Sequence, residues 1–184
     1  MHARTSPARP VGHNELSPAR AKARVLRHLN EIHERERAAV PEIKAQIKAT
    51  PGSDYGEELQ RYLEETRRHT ALVDERLHAL GYETGTAGRL ASFFQGAMAR
   101  ADARLLTPLD LIRPRHADDR VLERARHVAA VQASDIAGYR TLERLAAAAG
   151  DPDTEALAAR LGEQEQQTFD RILGKLQTLA DTLD

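Results

Sequence analysis

Four stretches of this chain carry apolar residues at alternating steps of three and four, and each stretch is interrupted near its middle by polar groups on the apolar stripe itself. A period near 3.6 belongs to helices buried along one face. The first stripe reads Val25, Leu29, Ile32, Glu36, Ala39, Ile43, Ile47, and the second Leu59, Tyr62, Glu65 or Thr66, His69, Val73, Leu77, Leu80. The third reads Val121, Ala125, Val128, Gln132, Asp135, Tyr139, Leu142, Ala146, and the fourth Leu157, Leu161, Glu165, Thr168, Ile172, Leu176, Leu179, Leu183. Four such faces can satisfy one another only by packing together, so the chain is expected to be all-α, a four-helix bundle with a polar layer across its waist.

Punctuation sets the boundaries. Ser17-Pro18 starts a helix of about 18–48, with a kink expected at Pro41. Thr50-Pro-Gly-Ser is a loop, and Asp54 with Glu57 reads as a capping box for a helix of about 54–80 that stops at Gly81. Helices of about 118–149 and 152–183 follow, the last capped by Asp151-Pro152. Residues 81–117 form a long crossover between the second and third helices. It holds one amphipathic piece, about 88–106, with Leu90, Phe93, Phe94 and Met98 on one face. Two short joins and one long crossover define the connectivity. Residues 1–16 mix Pro, Arg, Ser and Gly without periodicity and read as a flexible basic arm.

Composition narrows the chemistry. The 184 residues contain no cysteine, which excludes thiolate metal sites, iron–sulfur clusters and thiol nucleophiles. A net charge of −1 is wrong for a dedicated nucleic-acid binder, so only the basic arm offers weak contact of that kind. No apolar run approaches a membrane span and no secretory signal leads the chain, so membrane association is not expected and a cytoplasmic location is. Phosphate loops and nucleophile elbows are absent.

The polar interruptions Glu36, Glu65, His69, Gln132, Asp135 and Glu165 fall at about the same height on four helices. Burying several carboxylates together is costly unless a cation or protons neutralise them. Oxygen ligands with one imidazole suit iron or manganese. The expected ligands are Glu36, Glu65, His69, Asp135 and Glu165. His33 would stand at the edge of such a site, although a partly exposed helical histidine is the commoner role. The literal Glu-x-x-His at Glu75 and His78 faces away from the stripe and is expected to be solvated.

Taken in order, four segments carry a family resemblance: His28-Leu-Asn-Glu-Ile-His-Glu-Arg-Glu36, Leu63-Glu-Glu-Thr-Arg-Arg-His69, Ile136-Ala-Gly-Tyr-Arg-Thr-Leu142 and Glu165-Gln-Gln-Thr168. Over about residues 22–183 the chain resembles the ferritin-like YciE/YciF stress-protein family, known as domain of unknown function 892. The resemblance implies a ferritin-like four-helix bundle with a metal site of up to two ions and a part in stress responses. By position it places ligands at Glu36, Glu65, His69 and Glu165. The third helix departs from the pattern, with Gln132 and Asp135 where two acids are usual, and Thr168 stands in the fourth helix where a histidine would complete a pair. An amide is a poor, neutral ligand. Two functions are therefore expected in competition. One is an iron- or manganese-binding stress protein using metal or peroxide chemistry. The other is a metal-free bundle with a degenerate site, acting as a homodimer or a partner-binding module.

Overall fold

The computed structural model describes residues 17–82 and 117–181. They form α1 (Pro18–Ala49), α2 (Asp54–Ala79), α3 (Ala117–Ala149) and α4 (Pro152–Asp181), with no strand among the described residues. The expected basic arm, the amphipathic 88–106 piece and Leu183 lie outside the described residues.

Local chemistry explains the ends. Pro18 fills the first turn of α1, where its missing N–H leaves no bond unmade. α1 then runs unbroken through Pro41, an exposed position. The capping box expected at Asp54 is displaced by one residue. Ser53 is the cap, its hydroxyl accepting the Gly56 amide at 3.0 Å, while Asp54 and Glu57 sit in the first turn against the helix dipole. Gly81 and Gly150 take left-handed φ values of 79° and 67°. This lets the next amide reach back, Tyr82 N–H to Leu77 O at 2.9 Å and Asp151 N–H to Ala146 O at 3.0 Å. Asp151 caps α4 as expected, accepting from the Thr154 amide at 3.1 Å, and Arg76 of α2 clamps it at 2.5 Å.

Packing joins α1 to α2 and α3, and α4 to α2 and α3, so the four axes form a square. Direction follows from two apolar clusters. One gathers the N-terminal half of α1 (Val25, Leu29, Ile32) and of α4 (Ala158, Leu161) with the C-terminal halves of α2 (Val73, Leu77) and α3 (Tyr139, Leu142, Ala146). The other gathers the opposite halves, including Ile43, Leu59, Tyr62, Val128 and Ile172. Neighbours are therefore antiparallel, α2 and α3 are parallel, and the chain between Tyr82 and Ala117 must join opposite ends of the bundle. No helix among the described residues is long and apolar enough to cross a membrane.

The stripes were displaced only at their edges. Ala39 and Ile47 are half-buried, and Gln46 is buried in their stead, its amide oxygen accepting from Tyr55 at 3.2 Å. Leu161 is fully buried in the first cluster. Leu161→Ala is expected to lower the unfolding free energy by about 2–5 kcal/mol in urea denaturation. A loss under about 1 kcal/mol would mean that this half of the core can collapse around the cavity.

Candidate metal centre

Between the two apolar clusters lies a layer of buried polar groups. Glu36 from α1, His69 from α2, Gln132, Asp135 and Tyr139 from α3, and Glu165 from α4 are all at most 4% exposed. Each sits on the inward stripe of its helix at mid-length, which is why four separate periodicities bring them to one level.

Glu36, His69 and Glu165 form the centre of this layer. One ligand atom from each lies within 4.8 Å of the others, so the triad could hold a metal ion. His69 Nδ1 donates to Glu165 Oε1 at 2.6 Å and stands 3.9 Å from Glu36 Oε1. Its other nitrogen, Nε2, is held by the side-chain oxygen of Gln164 at 3.0 Å. Tyr139 donates its hydroxyl hydrogen to Glu36 Oε1. Thr70 donates to Glu36 Oε2 at 3.4 Å. The Tyr139 ring meets His69 edge-on at 6.4 Å.

Burial dominates the electrostatics. It pushes the Glu36 carboxyl from 4.5 to about 8, against the opposing pull of His69. Asp135 is pushed from 3.8 to about 7 by burial, with the Arg35 guanidinium pulling the other way. Burial alone would lower His69, but its bonds to Glu165 and its nearness to Glu36 prevail and raise it. The phenols of Tyr62 and Tyr139 are pushed up by the same burial and by the neighbouring carboxylates, and stay protonated. Without a cation, protons neutralise this layer.

The donor set fits a cation. Glu165 Oε2 is a buried acceptor without a hydrogen-bond partner among the described residues. Buried acceptors left in that state point to a missing donor or cation. Two carboxylates and an imidazole, with a third carboxylate on the adjoining helix face, are ligands that iron and manganese accept.

Glu65, expected as a ligand, is not brought to the triad. It is only half-buried, and Arg171 of α4 binds both its oxygens at 3.0 and 2.8 Å. Thr168 adds a bond to Oε2 at 2.5 Å. The alternative stripe position Thr66 is the buried one. Asp135 reaches the layer but faces Arg35, whose Nε lies 3.3 Å from Oδ1. Glycine at position 138 permits this, because a Cβ there would collide with the Arg35 guanidinium. His33 is buried at 3% exposure, not partly exposed. Glu75 and His78 are exposed, as expected.

Sequence reading passed over Gln164, Arg35 and Arg171. Gln164 precedes Glu165 directly, and a polar neighbour of a buried acid was the available signal. The two arginines sit on flanking faces, and nothing local marks their partners on other helices.

Comparison with known proteins agrees with this architecture. Among solved structures, one from Xanthomonas campestris pv. campestris superposes with a TM-score of 0.67 at 16% identity, covering 88% of this chain and 94% of that one. At that identity the likeness speaks for the fold alone. No curated protein matches the sequence. A family model described as a domain of unknown function, DUF892, matches residues 22–182, which takes in every member of the polar layer and all of the four stripes but Leu183. The chain belongs to the DUF892 family.

Proposed function

We propose that the chain binds iron or manganese between its helices through Glu36, His69 and Glu165, with Asp135 as a further carboxylate, and that it serves stress protection through metal or peroxide chemistry. The observation that carries this reading is the buried triad of ligand atoms within 4.8 Å of one another, one of whose members, Glu165, keeps a buried oxygen without a hydrogen-bond partner among the described residues.

A bound iron or manganese supplies one-electron chemistry and a Lewis-acid centre. The chain's own groups do the rest. Gln164 holds Nε2 of His69 and so aims Nδ1 at the two carboxylates, the outer support that fixes a ligating imidazole. Tyr139 and Thr70 orient Glu36. The apolar clusters above and below exclude water along the bundle axis. On the α1–α3 side, a surface cleft lined by His28, Glu31, Arg35, Ser134 and Thr141 ends at Arg35, the partner of Asp135.

Metal must displace the protons that Glu36 and His69 hold. Mn(II) affinity is therefore expected to rise from pH 6 to pH 8, by roughly tenfold per pH unit for each proton expelled. Mn(II) titration followed by electron paramagnetic resonance measures this, and an affinity independent of pH would exclude these ligands. For the activity, the test is peroxide consumption by the iron-loaded chain above that of free iron, lost in Glu36→Gln. Equal consumption by the two would remove the peroxide part of the reading.

A second reading has its own support. Glu65 is taken by Arg171, Gln132 is neutral, and a protonated His69 between Glu36 and Glu165 balances the charge without metal. In that case the bundle works as a homodimer or partner-binding module. Gln132→Glu separates the two. Under the metal reading it is expected to tighten Mn(II) binding by about tenfold or more, since it adds an anionic ligand on the facing helix. Under the metal-free reading it adds one more buried carboxylate and only destabilises.

A further inference from the structure

Bundles of this fold that hold a pair of metal ions present ligands inward from every helix: a glutamate from each of two helices and a Glu-x-x-His pair from each of the other two. The same positions can be read off this chain as Glu36 on α1, Thr66 and His69 on α2, Gln132 on α3, and Glu165 and Thr168 on α4. All of them are at most 3% exposed. Glu36, His69 and Glu165 are the triad whose ligand atoms converge. The rest are neutral, two hydroxyls and an amide, and offer an ion no charge. The neutral residues are not scattered over the pattern. One set of ligands is whole, and the complementary set holds neither an acid nor an imidazole.

The neutral set is also engaged elsewhere. Thr66 donates to the backbone oxygen of Tyr62 at 2.9 Å, and Thr168 to Glu65 Oε2 at 2.5 Å. Gln132 lies beside the Tyr62 hydroxyl, which feels the charges of Asp135, Glu165 and Glu36. Asp135, three residues along α3, does not make good the missing acid. No second group of three ligand atoms converges among the described residues, so Asp135 can join only the first ion. Positive charge on this side comes from the protein itself. Arg171, three residues beyond Thr168, gives Nη2 to Thr168 Oγ1 at 3.0 Å and to both oxygens of Glu65, and Nε to the buried Glu58 at 2.7 Å. A guanidinium stays protonated in proteins, and this one bridges two carboxylates as an ion would. We infer that the centre is built for one ion, with Thr66, Gln132 and Thr168 standing where a second ion's ligands would be and Arg171 supplying the second positive charge. The inference rests on the metal reading above.

The test is Mn(II) titration of the full chain, with bound metal counted against Glu36→Gln by equilibrium dialysis and its coupling read by electron paramagnetic resonance. The parent is expected to saturate at about one Mn(II), with the spectrum of an isolated ion. Thr66→Glu, Gln132→Glu and Thr168→His together are expected to raise this to about two, with the spectrum of a coupled pair. Arg171→Gln in that background should tighten the second ion at least about tenfold, since a fixed positive charge beside it is removed. An unchanged second affinity would overturn the role given to Arg171. About two ions in the parent would overturn the one-ion centre while leaving the metal reading intact. So would a triple variant that stays folded by circular dichroism and still takes one. If the triple variant unfolds, the parent's stoichiometry alone decides. Less than about a tenth of an ion in the parent would overturn the metal reading, and this inference with it.

Discussion

Glu36→Gln is expected to stabilise the metal-free chain at pH 8 and above while removing its metal. Burial raises the Glu36 carboxyl from 4.5 to about 8, so the folded state holds a proton there that the unfolded state has released. Where the folded state binds more protons, stability falls as pH rises. The stability tied to the neutral carboxyl is fully present below about pH 4.5 and is lost as pH climbs through about 8. Each tenfold change in proton affinity is worth about 1.4 kcal/mol, which makes the loss on the order of 5 kcal/mol. Glutamine keeps the shape and the bond from Tyr139 but has nothing to ionise. Urea denaturation with chelator present should show the variant ahead by about 2–4 kcal/mol at pH 8.5 and level with the parent at pH 5. A variant equally destabilised at both pH values would mean that Glu36 is not the proton-holding group.

His69→Ala should act in the opposite sense, and strongly. His69 is the donor to Glu165 at 2.6 Å and the nearest cation to Glu36. Removing one partner of a buried pair leaves the other charge uncompensated, which costs about 3–5 kcal/mol. The sign of its pH dependence follows from its raised folded pKa. The imidazolium contribution is complete below the ordinary value of 6.5 and fades as pH rises through the higher folded value. Glu36 keeps its proton at pH 7 with or without His69, so what the variant strands is Glu165, which loses its donor at 2.6 Å. Chemical denaturation should therefore show a loss of about 3 kcal/mol or more at pH 6 that shrinks at pH 9. The same loss at both would make His69 a packing residue only.

Much of this arrangement was legible in the residues because helical periodicity reports which face is buried whatever covers it. Glu36, His69, Gln132, Asp135, Tyr139 and Glu165 sat in phase with leucines and valines, and all are buried. The two short joins and one long crossover read from the punctuation fit the observed bundle, in which α2 and α3 run parallel. Periodicity fails where two adjacent positions share the stripe's edge. Glu65 and Thr66 lie about 100° apart on the helix, and Arg171, far along the chain, decides that Glu65 turns outward to an ion pair. His33 failed for a related reason. Its neighbour Ile32 already filled the stripe, and its burial depends on α2 packing alongside, with Asp74 over its ring edge. Gln46 displaced Ile47 because Tyr55 offered its amide a partner inside the second cluster. In each case the deciding contact is long-range or lies across a tight turn, and no local pattern encodes it.

Metal content decides the central claim most directly. The chain, purified without an affinity tag, would be incubated anaerobically with ferrous iron and separately with manganese, then desalted and analysed for metal beside Glu36→Gln. The account predicts about one equivalent more in the parent than in the variant. Equal content in the two, or less than about a tenth of an equivalent in the parent, would contradict it and leave His69, Arg35 and protons to balance the polar layer.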